Sequence, residues 1–221
     1  VHPEYNKDLS REMKIEEMSL PEKLVVYFTQ NLGAPPKPVV EKGDEVKKGQ
    51  VIAEAGGFVS APVHAPTSGK IKSIDVYPHP VGVDMPAAVI IPDGEDSWAD
   101  GCDLERDISG LDPGTIKDAI RDGGLVGMGG ASFPTHVKLS PPEEKKIDLL
   151  ILNGAECEPY LTADHRLMLE RPEEILEGAS LFARVLGVRD VIVAIEKNKP
   201  DAIDAMRKSC SGREGFSVQG L

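Results

Sequence analysis

Near residue 100 the sequence changes texture, and that break restricts the chain to two differently built parts. Before it, apolar runs are short and punctuated by glycine and proline. Leu24-Val25-Val26-Tyr27-Phe28 reads as a strand, and Pro35, Pro36 and Pro38 forbid a helix after it. Turns at Lys42-Gly43-Asp44 and Lys48-Gly49 divide the next apolar pieces, and Pro62 to Ile71 repeats the theme. Many short strands with such turns predict a small β sandwich or barrel.

After the break the pattern alternates strand and helix. Asp112 followed by Pro113 is a helix start, with a carboxylate at the N-cap and proline at the first helical position. That helix is expected to run to about Asp122 and stop at Gly123-Gly124. Residues 147–152 form a continuous apolar run, read as a buried strand. A second helix opens at Pro172, places Ile175, Leu176, Ala179, Phe182, Ala183 and Leu186 on one face, and ends at Gly187. Residues 191–195 read as another buried strand, 200–209 as a third helix and 216–219 as the start of a further strand. This order predicts a right-handed parallel βαβ unit. The expected organisation is an arm at 1–23, a β module at 24–95, an acidic linker at 96–111 anchored by the sole tryptophan, Trp98, and a partial α/β domain at 112–221.

Composition narrows the function classes. Asp and Glu number 37 against 25 Lys and Arg, a formal charge of −12. Phosphate backbones are bound by clustered Lys and Arg, so nucleic acid is not an expected partner. No apolar run approaches the ~20 residues that cross a bilayer. The N-terminal residues lack the pattern of a signal peptide. Cys102, Cys157 and Cys210 lie far apart with no CxxC, so reduced thiols are expected and no metal site is.

Two stretches carry the candidate chemistry. The hairpin-like string from Lys42 to Gln50, with Ala65 to Ile71, resembles the barrel-sandwich modules of lipoyl and biotinyl carriers. A carrier needs a lysine at a hairpin tip, and residues 55–64 contain none, so a structural or docking module is expected. His64 and His79 read as structural histidines. The second stretch holds five glycines in eight residues, 123–130, followed by Ala131-Ser132-Phe133-Pro134-Thr135 and Lys138. Bare backbone amides can approach a phosphate or a flat ring, and the Lys138 ammonium can neutralise a phosphate. Phe133 can stack on a planar base. The run is neither the dinucleotide fingerprint nor a P-loop. Beyond the next strand comes Asn153-Gly154-Ala155-Glu156-Cys157-Glu158-Pro159, at the carboxyl end of a strand, where open parallel sheets place ligands. Asn153, Glu156 and Glu158 offer partners to a heterocycle edge or ribose hydroxyls.

The strings 127–139 and 153–166, together with Gly57-Phe58-Val59-Ser60-Ala61-Pro62-Val63-His64, closely resemble RnfC, a component of the ion-translocating Rnf electron-transport complex. The α/β part is more distantly similar to the flavin subunit of respiratory complex I. The resemblance implies an α+β chain of two domains, a barrel-sandwich hybrid-like β module followed by a Rossmann-like, parallel-sheet FMN-binding domain truncated on its C-terminal side. It implies an FMN site on Gly127, Gly129, Lys138, Asn153 and Glu156, with Phe133 and Glu158 holding NADH. Ser132 stands where complex I has glycine, and Ala155 where it has an acidic residue. The family's two [4Fe–4S] clusters belong to motifs absent from these residues. The implied function is electron exchange between NAD(H) and iron–sulfur clusters through FMN. The setting is a ferredoxin:NAD oxidoreductase coupled to ion translocation. Its expected partners are the other Rnf subunits, including membrane subunits and a ferredoxin-type subunit, at the cytoplasmic side of the cell membrane. Flavin chemistry needs no general base, so none is assigned. The isolated fragment is expected to be inactive. The alternatives are a soluble flavin–iron–sulfur reductase paralogue, serving cobalamin or proline reduction, and a non-catalytic docking scaffold.

Overall fold

The computed structural model describes residues 4–103 and 107–221. Residues 1–3 of the expected arm and 104–106 of the expected linker lie outside that description. The chain divides into two compact units. One comprises residues 18–141; the other joins residues 1–17 to residues 142–221.

In the first unit, β1 (Leu24–Tyr27), β2 (Lys37–Pro38), β3 (Glu45–Val46), β4 (Val51–Glu54), β5 (Val63–His64), β6 (Gly69–Pro78) and β7 (Asp84–Pro92) form two antiparallel sheets. Their orders are β1-β7-β6-β3 and β2-β4-β5. Val26, Ile71 and Ile90 from the first sheet share a core with Ile52, Ala53 and Val63 from the second. Burying each of these valine and isoleucine side chains contributes about 1.5–3 kcal/mol toward holding the two sheets together. Gly69 (φ +157) sits against the Ile91 carbonyl, in space that a Cβ would fill, so the β6–β7 pairing depends on glycine there. Trp98, expected as a packed anchor, is 44% exposed. The Lys48 ammonium lies over its ring at 4.7 Å and pairs with Asp96 at 2.7 Å.

α1 (Pro113–Asp122) follows, as the N-cap pattern predicts. Asp112 Oδ1 accepts from the amides of Gly114 (2.9 Å) and Thr115 (3.1 Å). The left-handed residue after it is Gly124 (φ +68), and a Cβ there would strike the Pro62 carbonyl and the His64 ring. That close approach ties the glycine-rich segment to the β module. Burial lowers the pKa of the half-buried His64. A single turn, α2 (Thr135–Lys138), closes the unit.

The second unit holds β8 (Leu149–Gly154), α3 (Ala163–Glu170), α4 (Pro172–Leu186), β9 (Asp190–Ile195), α5 (Pro200–Cys210) and β10 (Phe216–Gly220). The strands make a parallel sheet in the order β10-β9-β8. α4 ends as predicted, at Gly187 (φ +69). Val188 donates to the Ala183 carbonyl and Gly187 to that of Arg184, the paired bonds of a Schellman ending. The helices cover one face: Leu176, Met206 and Ala202 pack with Val193, Ile195, Leu152 and Val218.

The strand expected to be buried at 147–152 differs. It begins at Leu149, and only Leu150 and Leu152 face the helices, while Leu149 and Ile151 are 38% and 57% exposed. β8 is an edge strand with one face covered. A continuous apolar run states that both faces tolerate burial, not that both receive it. No second helical layer covers this sheet among the described residues, so the fold is a mixed one of antiparallel β structure and a three-stranded parallel sheet.

Candidate functional site

The seven residues singled out from sequence fall into the two units. Gly127, Gly129, Phe133 and Lys138 belong to the first; Asn153, Glu156 and Glu158 to the second.

In the first unit, the glycine-rich run is a loop closed at its base. Val126 bridges Pro134, Gly127 donates to the Phe133 carbonyl at 2.9 Å, and Thr135 donates to that of Leu125 at 2.9 Å. The tip, Met128 to Gly130, is exposed, and nothing lies within 4 Å of where side chains on Gly129 or Gly130 would begin. Lys138 leaves α2 and brings its ammonium to Gly127, into space a Cβ there would occupy. A Cβ at 127 would therefore push the flexible end of Lys138 out of the loop. Phe133 is half-buried at the loop's return. Behind it His136 Nε2 pairs with the Phe58 carbonyl at 2.9 Å, fixing α2 to the β module. Ser132 takes φ +49, a left-handed conformation favoured by glycine. Bare amides beside one ammonium are the donor set a phosphate needs.

In the second unit, the loop after β8 lies at the carboxyl ends of the parallel strands. Asn153 is exposed and folds its Oδ1 onto the Ala155 amide at 3.0 Å, leaving its amide donor end outside that turn. Glu156 is 6% exposed. Its Oε1 accepts from the Asp164 amide at 2.8 Å, which satisfies a free donor at the start of α3. Its Oε2 is buried without a hydrogen-bond partner, with Lys7 Nζ at 3.6 Å. Burial, then the neighbouring Glu156 charge, raises the pKa of Asp164. Glu158 and Cys157 are exposed. An orphaned buried acceptor and an exposed carboxylate fit a ligand that donates hydrogen bonds, as ring N–H and ribityl or ribose hydroxyls do.

Three residues at this loop escaped the sequence reading. Glu196, just past β9, accepts from the Glu156 amide (3.2 Å) and pairs with Lys199. Lys199, 2% exposed, also donates to Asn198 Oδ1 at 3.1 Å. That hydrogen-bonded ammonium holds the Glu196 carboxyl below its ordinary range. A charge pair three residues apart directly after an apolar strand was the available signal. Lys7, the third, binds the loop from 149 residues away, and no local pattern announces it. Among the described residues, no group of three or more His, Cys, Asp and Glu comes together as a metal site.

Comparison with known proteins divides the chain at other points than the two compact units. Residues 1–95 match the family model described as the RnfC barrel sandwich hybrid domain, and residues 120–220 match the Nuo51 FMN-binding domain. The chain belongs to the RnfC family. It is 49% identical over 221 residues to the C component of the proton-translocating ferredoxin:NAD(+) oxidoreductase complex of Clostridium ljungdahlii, covering all of this chain and 48% of that protein. It is 47% identical over 210 residues to the C component of the ion-translocating oxidoreductase complex of Rhodobacter capsulatus, covering 94% and 40%. The C component of the Na(+)-translocating ferredoxin:NAD(+) oxidoreductase complex of Acetobacterium woodii is 40% identical, with coverage of 100% and 50%. The chain thus spans about half the length of these curated RnfC relatives. A solved NAD+-reducing [NiFe]-hydrogenase in the air-oxidized state shares 28% identity at a TM-score of 0.39, covering 50% of this chain and 20% of that one.

Proposed function

We propose that this chain is the flavin-side part of a peripheral subunit that exchanges electrons between NAD(H) and iron–sulfur clusters through FMN. The whole protein works in a ferredoxin:NAD oxidoreductase complex coupled to ion translocation, with other Rnf subunits as partners, at the cytoplasmic face of the membrane. No helix among the described residues is long and apolar enough to cross a membrane. The observation that carries the proposal is the Lys138 ammonium lodged against bare Gly127 within an open glycine loop.

Gly127, Gly129 and Lys138 hold the FMN phosphate side, and Asn153 and Glu156 meet donors and acceptors of the flavin. Phe133 stacks on the nicotinamide nucleotide and Glu158 holds it by ribose hydroxyls. The parallel sheet is the first part of a Rossmann-like domain that the remaining sequence completes, and the two [4Fe–4S] clusters lie in that remainder. Bound FMN supplies the conversion between a two-electron hydride and single electrons. The residues supply placement and charge, with no side chain moving a proton, and this chain by itself is inactive.

Flavin fluorescence quenching on this chain and on the full-length protein tests the assignment. FMN binding by the full-length protein, weakened by Lys138→Ala and by Asn153→Ala, is the expected result. Binding by neither form under reducing, iron-replete conditions overturns it in favour of a docking scaffold.

A further inference from the structure

A residue of the N-terminal arm holds the loop of residues 156–161. Lys7 Nζ donates to three carbonyl oxygens of that loop: Glu156 (2.6 Å), Glu158 (3.2 Å) and Leu161 (2.6 Å). An ammonium has three donors, so all are used, and the Glu156 carboxylate at 3.6 Å supplies the counter-charge. The Lys7 side chain is 12% exposed. Three carbonyl dipoles aimed at one point repel one another unless a cation stands there. The same turn contains Tyr160 at φ +66, a conformation an aromatic residue adopts only under constraint. That constraint also comes from the arm. The Tyr160 amide donates to the Tyr5 carbonyl at 2.8 Å, and Ser10 Oγ donates to the Tyr160 carbonyl at 3.3 Å. Further along, Arg166 reaches the Arg11 carbonyl at 3.1 Å.

We infer that Lys7 is a positioning residue for the nucleotide-binding loop, fixing the main chain of residues 156–161 so that Glu158 is presented in a single direction. The inference rests on the reading of that loop given under Proposed function. Lys7 and Glu156 lie within different matched families, 1–95 and 120–220, so neither family domain contains the clamp by itself. The arm is a working part of the second unit rather than an extension of the β module.

The test uses the full-length protein with Lys7→Met, with Lys7→Arg as the charge-conserving variant that also serves if Lys7→Met does not fold. Amide hydrogen exchange at residues 156–161, read without any ligand, is expected to accelerate in Lys7→Met while the helices of the unit keep their protection. The NADH KM is expected to rise about tenfold with kcat changed less, and Lys7→Arg to recover part of both effects. Unchanged exchange in the loop overturns the inference. Faster exchange with an unchanged KM, while Glu158→Ala raises KM, also overturns it and leaves the site reading standing. Faster exchange with KM insensitive to both Lys7→Met and Glu158→Ala overturns the site reading and the inference together.

Discussion

The ammonium of Lys138 fills the space that a Cβ on Gly127 would need. Gly127→Ala therefore displaces the flexible end of one side chain rather than backbone. The stability cost is expected below about 1 kcal/mol, while FMN affinity in the full-length protein falls about tenfold. Lys138→Ala is expected to lose about ten- to hundredfold, the worth of a charge-assisted hydrogen bond. The double variant should lose less than the sum, because both changes remove the same contact. Flavin fluorescence titration of the four proteins closes the cycle, and strict additivity would count against a shared phosphate cradle.

Ser132 sits in the glycine loop at φ +49. Glycine adopts that conformation without the Cβ penalty, at some cost in unfolded-state entropy. Ser132→Gly is expected to raise unfolding stability by a few tenths to about 1 kcal/mol. Urea unfolding measures it, and destabilisation would mean that the serine side chain contributes more than its strain costs.

Leu176 of α4 is fully buried against the parallel sheet. Leu176→Ala leaves a cavity there and is expected to cost about 2–5 kcal/mol. Equilibrium urea unfolding followed by far-ultraviolet circular dichroism reads the loss.

Glu196 carries a lowered carboxyl pKa, chiefly through its hydrogen bond to the buried Lys199. A depressed carboxylate stabilises the fold fully above the unfolded value, about 4.3 for glutamate, and loses that contribution as pH falls through the folded value. The stability gap between the native chain and Lys199→Met is therefore expected to be largest near neutrality. It should narrow below about pH 4. Unfolding curves at a series of pH values test the sign; a gap that widens in acid would contradict it.

The helix ends show how far local chemistry reaches. Asp112 and Pro113 set the start of α1, and Gly187 sets the end of α4, because capping is decided by residues within a turn of each other. The glycine loop, Lys138, and the Asn153–Glu158 segment were legible for the same reason: their residue types and spacing sit within short stretches. Burial was less legible. Ile151 belongs to an apolar run yet is 57% exposed, since coverage depends on which strands and helices come to flank β8.

The sequence by itself determined the change from turn-rich β structure to alternating strand and helix, the helix caps, and the two short motifs that mark the family. All of these are encoded between near neighbours in the chain. Only the tertiary structure decided that Lys7 closes on the carbonyls of Glu156, Glu158 and Leu161, and that Glu196 joins the Glu156 amide to Lys199. It also decided that one face of β8 stays open. Such contacts join residues as many as 154 positions apart. Hydrogen-bond geometry and burial there follow from how the elements pack, which no local pattern records.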